Sequence, residues 1–148
     1  MKETFSKALS ANDVGTTGAH QAGILVPKTD AELLAFLPVL DPTVKNPDAW
    51  IECVDEDGIG RKFRFIYYNN RFHDPKGTRN EYRITHMTRY FRDVGAKEGD
   101  TLEISKDLGS SLYFIRIERK SEEAGKLVVN SDEAHVRIKI TSSWRRVH

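Results

Sequence analysis

The fold is most restricted by a pair of alternating segments that flank a tight-turn signal. Ala49–Asp55 and Arg61–Tyr68 alternate apolar with polar residues, as strands buried on one face do. On the second segment the aromatic residues Phe63, Phe65 and Tyr67 fall on one face. The opposite face carries Lys62 and Arg64, and the connecting EDGIG contains Asp-Gly, a strong hairpin signal. The sequence therefore predicts an antiparallel hairpin with an aromatic inner face.

Short strands and two short helices are predicted elsewhere. A capping-box pattern beginning at Thr29 opens a helix that Pro38 ends, and a second helix, His86–Val94, ends at Gly95. Alternation predicts further strands at Thr4–Leu9, Ile24–Pro27, Thr101–Lys106, Ser111–Arg119, Leu127–Asn130 and His135–Ile140. The fold class is mixed and mostly β, a barrel-like or α+β arrangement, in one domain over residues 1–148.

Size and composition exclude several classes of protein. With 148 residues, 39% hydrophobic and 30% charged, the chain is too apolar to be disordered. The single Cys53 excludes a disulfide framework and fits a reducing cytosol. No apolar run reaches the roughly 18 residues of a membrane span, and the N-terminus has no signal-peptide core. We therefore expect a cytoplasmic protein with no membrane partner.

Charge is distributed unevenly, although the formal net charge is only +1. Residues 29–60 hold one lysine against eight acidic residues, whereas residues 61–92 hold nine Lys and Arg against two. Seven of the nine are arginine, which makes bidentate contacts to phosphate and guanine. This concentration indicates a polyanionic partner. The alternative is a solvated face balanced by the acidic segment.

Two long segments without apolar periodicity, Ser10–Gly23 and Asn69–Arg83, are predicted to be functional loops. The second carries the residue types that read duplex DNA: Arg71, Lys76, Arg79, Asn80, Glu81 and Arg83. Arginine pairs with guanine, asparagine with adenine, and a carboxylate accepts from the cytosine amino group. In the first segment, similar roles are open to Asn12, Asp13, His20 and Gln21. An exposed polar loop with local ion pairs remains the alternative.

Catalytic and metal-binding patterns are weak. The five histidines lack the spacing of metal ligands, and no phosphate-binding loop or nucleophile motif occurs, so we expect no metal, cofactor or catalytic residue. One short pattern, Asp107 with Glu118 and Lys120, is compatible with an Mg²⁺-dependent nuclease. Trp50 and Trp144 are predicted to lie in the core or at its edge. Tyr68 is predicted to be free to reach solvent or a phosphate.

Both loops resemble parts of a known family, the N-terminal effector domain of EcoRII-type restriction endonucleases. Leu9–Pro27 (LSANDVGTTGAHQAGILVP) resembles the beginning of that domain. Ile66–Thr85 (IYYNNRFHDPKGTRNEYRIT) resembles its second arm. Tyr90–Ile104 (YFRDVGAKEGDTLEI) resembles the helix-then-strand signature of plant-transcription-factor-type DNA-binding pseudobarrels. The resemblance covers most of residues 4–106.

The resemblance implies a seven-stranded-type open β-barrel that reads double-stranded DNA, at a CCWGG-type site, with two arms in the major groove. It places the N-arm contacts at Asp13, His20 and Gln21, with Lys7 and Lys28 at the borders, and the C-arm contacts at Arg79, Asn80, Glu81 and Arg83. Arg71, Lys76 and Lys7 would anchor on phosphates. In the family, cleavage belongs to a separate catalytic endonuclease domain, which nothing in this sequence resembles.

Three other functions stay open from the residues alone. The chain could be a nuclease through Asp107, or a protein-interaction module whose basic loop meets an acidic partner. A barrel for single-stranded nucleic acid is disfavoured, because the aromatic residues follow the alternation that faces the core.

Overall fold

The computed structural model describes residues 2–15, 23–120 and 144–147, which form a curled, mostly β structure with few helices. The strands are β1 Lys2–Ala8, β2 Ile24–Val26, β3 Asp48–Val54, β4 Gly60–Tyr68, β5 Glu81–Thr85, β6 Thr101–Asp107, β7 Leu112–Glu118 and β8 Trp144–Val147. The helices are α1 Ala11–Val14, α2 Ala31–Phe36 and α3 Thr88–Val94, and a 3₁₀ turn spans Asn70–Phe72.

The eight strands in the described part of the chain form one sheet in the order β2-β5-β4-β3-β7-β6-β1-β8. Every neighbouring pair is antiparallel except β3 and β7, which are parallel. The sheet curls until its two edge strands approach, and the indole Nε1 of Trp144 on β8 donates to the Leu25 carbonyl on β2 at 3.0 Å. This bond links the edges of a nearly closed barrel, the mostly β open barrel that was predicted.

The predicted hairpin is confirmed and supplies much of the core. In β3 and β4, Ile51 lies opposite Phe63 and Ala49 opposite Phe65. The inward residues of the sheet pack with those of the helices; the largest fully buried side chains are Phe5, Phe36, Phe63, Phe65 and Tyr90. Burial of these apolar side chains is the main force that closes the barrel.

The helices differ from prediction at their beginnings. In α2 the capping residue is Asp30 rather than Thr29, because the Asp30 carboxylate accepts from the Leu33 N–H at 3.1 Å. The segment 10–23 is not entirely a loop. Its first turn is α1, closed by a capping box in which Ser10 and Asp13 each bond the other's backbone N–H. Helix α3 ends at Gly95, as predicted.

Two further predictions require correction. Glu81–Arg83, predicted to end a loop, begins the strand β5. In the described part of the chain, Trp144–Val147 adds the strand β8, which was not predicted from the sequence. Trp50 is 47% exposed, because Ile51 and Cys53 occupy the inward positions of β3. Trp144 is buried, as predicted. The predicted strands Leu127–Asn130 and His135–Ile140 lie outside the described residues.

Candidate nucleic-acid interface

Strand β5 lies between the two predicted arms, and each arm joins it at a different end. The C-arm, residues 69–80, leads directly into Glu81 at the start of β5. The N-arm, residues 10–23, leads into β2, whose Ile24 pairs with Ile84 near the other end of β5. Because Tyr82 and Ile84 point towards the core, Glu81, Arg83 and Thr85 face outwards between the arms.

The outward face of β5 carries a triad of charged side chains, Arg79–Glu81–Arg83. Arg79 donates to Glu81 Oε1 from Nη2 at 2.7 Å and from Nε at 3.0 Å. Arg83 Nη2 donates to the other carboxylate oxygen at 3.0 Å. Partial burial raises the pKa of Glu81, but the hydrogen bonds from Arg79 and Arg83 outweigh it and hold that pKa below its usual value. One carboxylate thus orients two guanidinium groups at the surface.

Arg79 is also held from below by an aromatic ring. Its guanidinium carbon lies 3.7 Å from the centroid of the Tyr68 ring. Tyr68 is the cross-strand partner of Glu81, so stacking and ion pairing come from adjacent strands. The sequence predicted that Tyr68 would be free to reach solvent or a phosphate. In the structure, one face of its ring is covered by Arg79.

Arg83 connects the triad with the N-arm. Its Nη1 donates to the carbonyl oxygen of Gly23 at 2.9 Å, while its Nε is buried with no hydrogen-bond partner in the described part of the chain. Gly23 has φ +91°, and a Cβ there would lie 2.5 Å from the Ile84 carbonyl oxygen. Only glycine fits this approach of the N-arm to β5.

The C-arm has a rigid base built on Asn69. This side chain is fully buried; its Oδ1 accepts from the Asn46 N–H at 2.7 Å. Its Nδ2 donates to the carbonyls of Pro42 and Val44 at 3.2 and 2.9 Å, and its backbone N–H donates to Asn46 Oδ1 at 3.2 Å. The loop before β3 therefore supports the C-arm through one buried amide.

The two halves of the C-arm also bond each other. The Arg79 N–H donates to Asn70 Oδ1 at 2.8 Å, and the Arg71 N–H donates to the Arg79 carbonyl at 3.1 Å. A Cβ on Gly77 would lie 2.0 Å from the Asn70 carbonyl oxygen, so the loop closes only with glycine there. The arm is consequently a packed structure rather than a polar loop free in solvent.

Basic side chains lie around the triad with more freedom. Arg71 and Lys76 are exposed on the C-arm. Lys28, also exposed, reaches the Asn80 carbonyl with its Nζ at 3.4 Å. The Asn80 side-chain oxygen accepts from the Tyr67 hydroxyl at 2.5 Å, which fixes the amide beside Glu81. The structure thus brings the predicted C-arm residues and Lys28 together on one face.

The predicted N-arm residues divide into two groups. Lys7 is only 5% exposed, and its ammonium forms an ion pair with Asp13, whose carboxylate also accepts from the Ser10 N–H. The prediction that Lys7 presents its charge to a phosphate therefore does not match its position; it fixes the base of the N-arm. His20 and Gln21 lie outside the described residues.

The β6–β7 hairpin separates the residues of the nuclease-like pattern, Asp107, Glu118 and Lys120. Glu118 pairs with Thr101 at one end of β6, whereas Asp107 is at its other end, six residues or roughly 20 Å away along the strand. The Lys120 backbone bonds to Asp100. Within residues 2–15, 23–120 and 144–147 no group of three His, Cys, Asp or Glu could hold a metal ion. None of the helices in those ranges is long and apolar enough to cross a bilayer.

Sequence reasoning missed several residues that support the triad and the C-arm. The contacts of Tyr68 and Asn69 lie more than ten residues away in the chain. Gly23 lies against Ile84 of β5, and Gly77 lies against Asn70 within the C-arm. The available signal was a glycine at the end of one polar segment and another inside the second, since glycine in a loop often marks a close backbone approach.

Comparison with known proteins agrees with this geometry. Residues 2–129 match the model of a family described as restriction endonuclease EcoRII, N-terminal. The type II restriction enzyme EcoRII of Escherichia coli is 40% identical over 89 residues, which are 55% of this chain and 20% of that enzyme. The chain thus spans about a fifth of the length of this relative. Among solved structures, an Arabidopsis FUS3–DNA complex is similar, with a TM-score of 0.57 and 26% identity over 78% of this chain and 96% of that chain.

Proposed function

Because the chain belongs to the family of EcoRII N-terminal domains, we propose that it is the domain that reads a specific double-stranded DNA site for a restriction endonuclease. The relative is a type II restriction enzyme, and the structurally similar FUS3 chain was solved with DNA. A CCWGG-type site is the proposed target. Cleavage is proposed to belong to a catalytic endonuclease domain, since the chain corresponds to only a fifth of the relative.

The observation that carries the proposal is the triad on the outward face of β5. The internal bonds use two of the five N–H donors on each guanidinium, which leaves donors on Arg79 and Arg83 for base edges. Two oriented arginines match the acceptor pair of guanine, and Glu81 can accept from a cytosine amino group. A carboxylate beside phosphates weakens affinity, so its presence favours a role in specificity.

The surrounding basic residues supply the sequence-independent part of binding. Arg71, Lys76 and Lys28 are exposed beside the triad and would pair with phosphates to set the position of the duplex. Lys7 and Asp13 would act indirectly, by fixing the N-arm whose His20 and Gln21 are proposed to enter the groove. Asn80, held by Tyr67, is proposed to contact an adenine edge or the backbone beside it.

Selection of bound duplexes from a random pool tests the function and the site together. We expect enrichment of a five-base-pair CCWGG-type sequence. If about six phosphates are contacted, log K should fall with log salt with a slope near −5. Recovery of no preferred sequence, or a flat salt dependence, would overturn the proposal.

Two variants distinguish contacts to base edges from contacts to phosphates. Arg79→Lys keeps the charge but removes the fork, so we expect about 1–3 kcal/mol less discrimination at one base pair. Lys76→Gln should weaken all duplexes alike and reduce the salt slope by about one. Equal losses on every sequence for both variants would show that Arg79 does not read a base.

A further inference from the structure

The outer face of β3 and β4 carries an exposed tryptophan among basic groups, outside the two arms. The Trp50 ring lies 5.1 Å from the His86 ring, edge to face, and Lys62 Nζ lies 5.4 Å from the Trp50 ring centroid. Trp50 is about half exposed although it is a large apolar residue. We call Trp50, Lys62, His86 and Arg89 the tryptophan surface.

An open cavity of about 450 Å³ adjoins this surface, between the beginning of β4 and α3. Its Arg61 is neutralised by Asp55 and Asp93, at 2.9 and 2.8 Å. Lys62 has no carboxylate within 4.0 Å among the described residues, and Arg89 is 86% exposed with its Nε 3.9 Å from Asp93. Two cations therefore remain available to an anion at the edge of the cavity.

The tryptophan surface is continuous with the triad face. Trp50 is the cross-strand partner of Arg64, and Arg64 is the partner of Thr85 at the end of β5. Two strand spacings separate Trp50 from β5, about 10 Å. The major groove is about 12 Å wide, so a backbone on its border passes within roughly that distance of a strand that faces the groove. The charge and the spacing thus both fit a DNA strand.

We propose that the tryptophan surface binds the phosphate backbone of DNA that flanks the recognition site, an inference that rests on the proposed function. Lys62 and Arg89 pair with phosphates, and the exposed face of Trp50 packs on a deoxyribose. No side chain here forms a planar pair aimed at a base edge, so the contact is independent of flanking sequence.

The test compares two duplexes that carry the same selected site, one ending a base pair beyond it and one extending about ten base pairs on each side. The wild-type chain should bind the long duplex about tenfold more tightly, because flanking phosphates add ionic contacts. The double variant Trp50→Ala, Lys62→Gln should bind both duplexes with the affinity that the wild type has for the short one. Its salt slope on the long duplex should be shallower by about one.

A matched control pairs a lysine with an aromatic ring outside the tryptophan surface, on β1 and β7, where Lys2 packs over the Phe114 ring at 5.0 Å. The double variant Lys2→Gln, Phe114→Ala should keep the difference between long and short duplexes. Unaltered length dependence in the Trp50 variant would overturn the inference and favour a protein partner for this face. If the wild-type chain bound the short duplex as tightly as the long one, the inference would be overturned and the proposed function would stand. If it bound neither duplex, both would be overturned.

Discussion

The guanidinium of Arg83 donates to the carbonyl oxygen of Gly23 at 2.9 Å, and this bond joins the central strand of the interface to the last residue of the N-arm. The same guanidinium bonds Glu81. Arg83 therefore supports the N-arm and orients the carboxylate that also holds Arg79, so one side chain couples the two arms.

Replacing Arg83 with alanine should affect both affinity and local order. We expect about 1–3 kcal/mol weaker binding to the selected duplex, with relaxed base preference. Amide exchange at residues 23–26 should become faster, because the N-arm loses its bond to β5. Arg71→Ala is the control: it should weaken binding to all duplexes without changing exchange at those residues. Unchanged exchange in the Arg83 variant would contradict the coupling.

Gly77→Ala should disorder the C-arm, since the new Cβ would lie 2.0 Å from the Asn70 carbonyl oxygen. Overpacking of this kind costs about 1–3 kcal/mol of unfolding free energy. We expect at least a tenfold loss of affinity for the selected duplex. Gly60→Ala is the matched control, because a Cβ there meets nothing within 4 Å. Equal behaviour of the two variants in urea unfolding and duplex titration would refute the close approach.

Asn69→Ala should be among the most destabilising polar substitutions in the chain. It leaves the Asn46 N–H and the carbonyls of Pro42 and Val44 without their partner in a buried place. We expect a loss of about 2–3 kcal/mol in the free energy of unfolding. Thr78→Ala, at an exposed position of the same arm, should change it by less than about 0.5 kcal/mol. A small effect of Asn69→Ala in urea unfolding would show that the amide does not hold the arm.

The ring of Tyr68, rather than its hydroxyl, should matter for recognition. Tyr68→Leu removes the stacking on Arg79 and should reduce the preference for the selected duplex over a scrambled one by about two- to fivefold, given about 0.5–1 kcal/mol for an exposed cation–π contact. Tyr68→Phe keeps the ring and should behave like the wild type. If the phenylalanine variant lost as much preference as the leucine variant, the hydroxyl would be the active group.

Low pH should reduce the free energy of unfolding through protonation of Glu81. Because Arg79 and Arg83 lower the pKa of this carboxyl in the folded state, its contribution to stability is complete above the unfolded pKa of about 4.3. That contribution is lost as pH falls through the lower folded value. Glu81→Gln should therefore flatten part of the fall in unfolding free energy between about pH 5 and 3. Glu98→Gln, at an exposed position, is the control that removes one carboxylate outside the triad.

The local parts of the fold could be predicted, because their signals lie within a few residues of each other. The β3–β4 hairpin follows from alternation and Asp-Gly, and the end of α3 from Gly95. The charged residues of the C-arm pointed to the candidate interface by their chemistry alone. Their support could not be predicted, since Asn69 finds its partners more than twenty residues away.

Two errors came from giving residue type more weight than position. The apolar character of Trp50 predicts a place in the core or at its edge, but Ile51 and Cys53 take the inward positions and leave Trp50 on the outer face. Glu81 and Arg83 were placed in a loop because they are charged, but they alternate with Tyr82 and Ile84 on a strand. Lys7 differs: its burial depends on the turn of α1 that brings Asp13 to it.

The joining of both arms to opposite ends of β5 limits how this interface can diverge. Inserting one residue into the strand would turn the charged side chains inwards and the apolar ones outwards, because side chains alternate with a period of two. Only insertions of residue pairs preserve the facing of Glu81 and Arg83, and each pair moves the arms apart by about 7 Å. Relatives that span longer or shorter targets must therefore differ in discrete steps of strand length, or must rebuild the arms themselves.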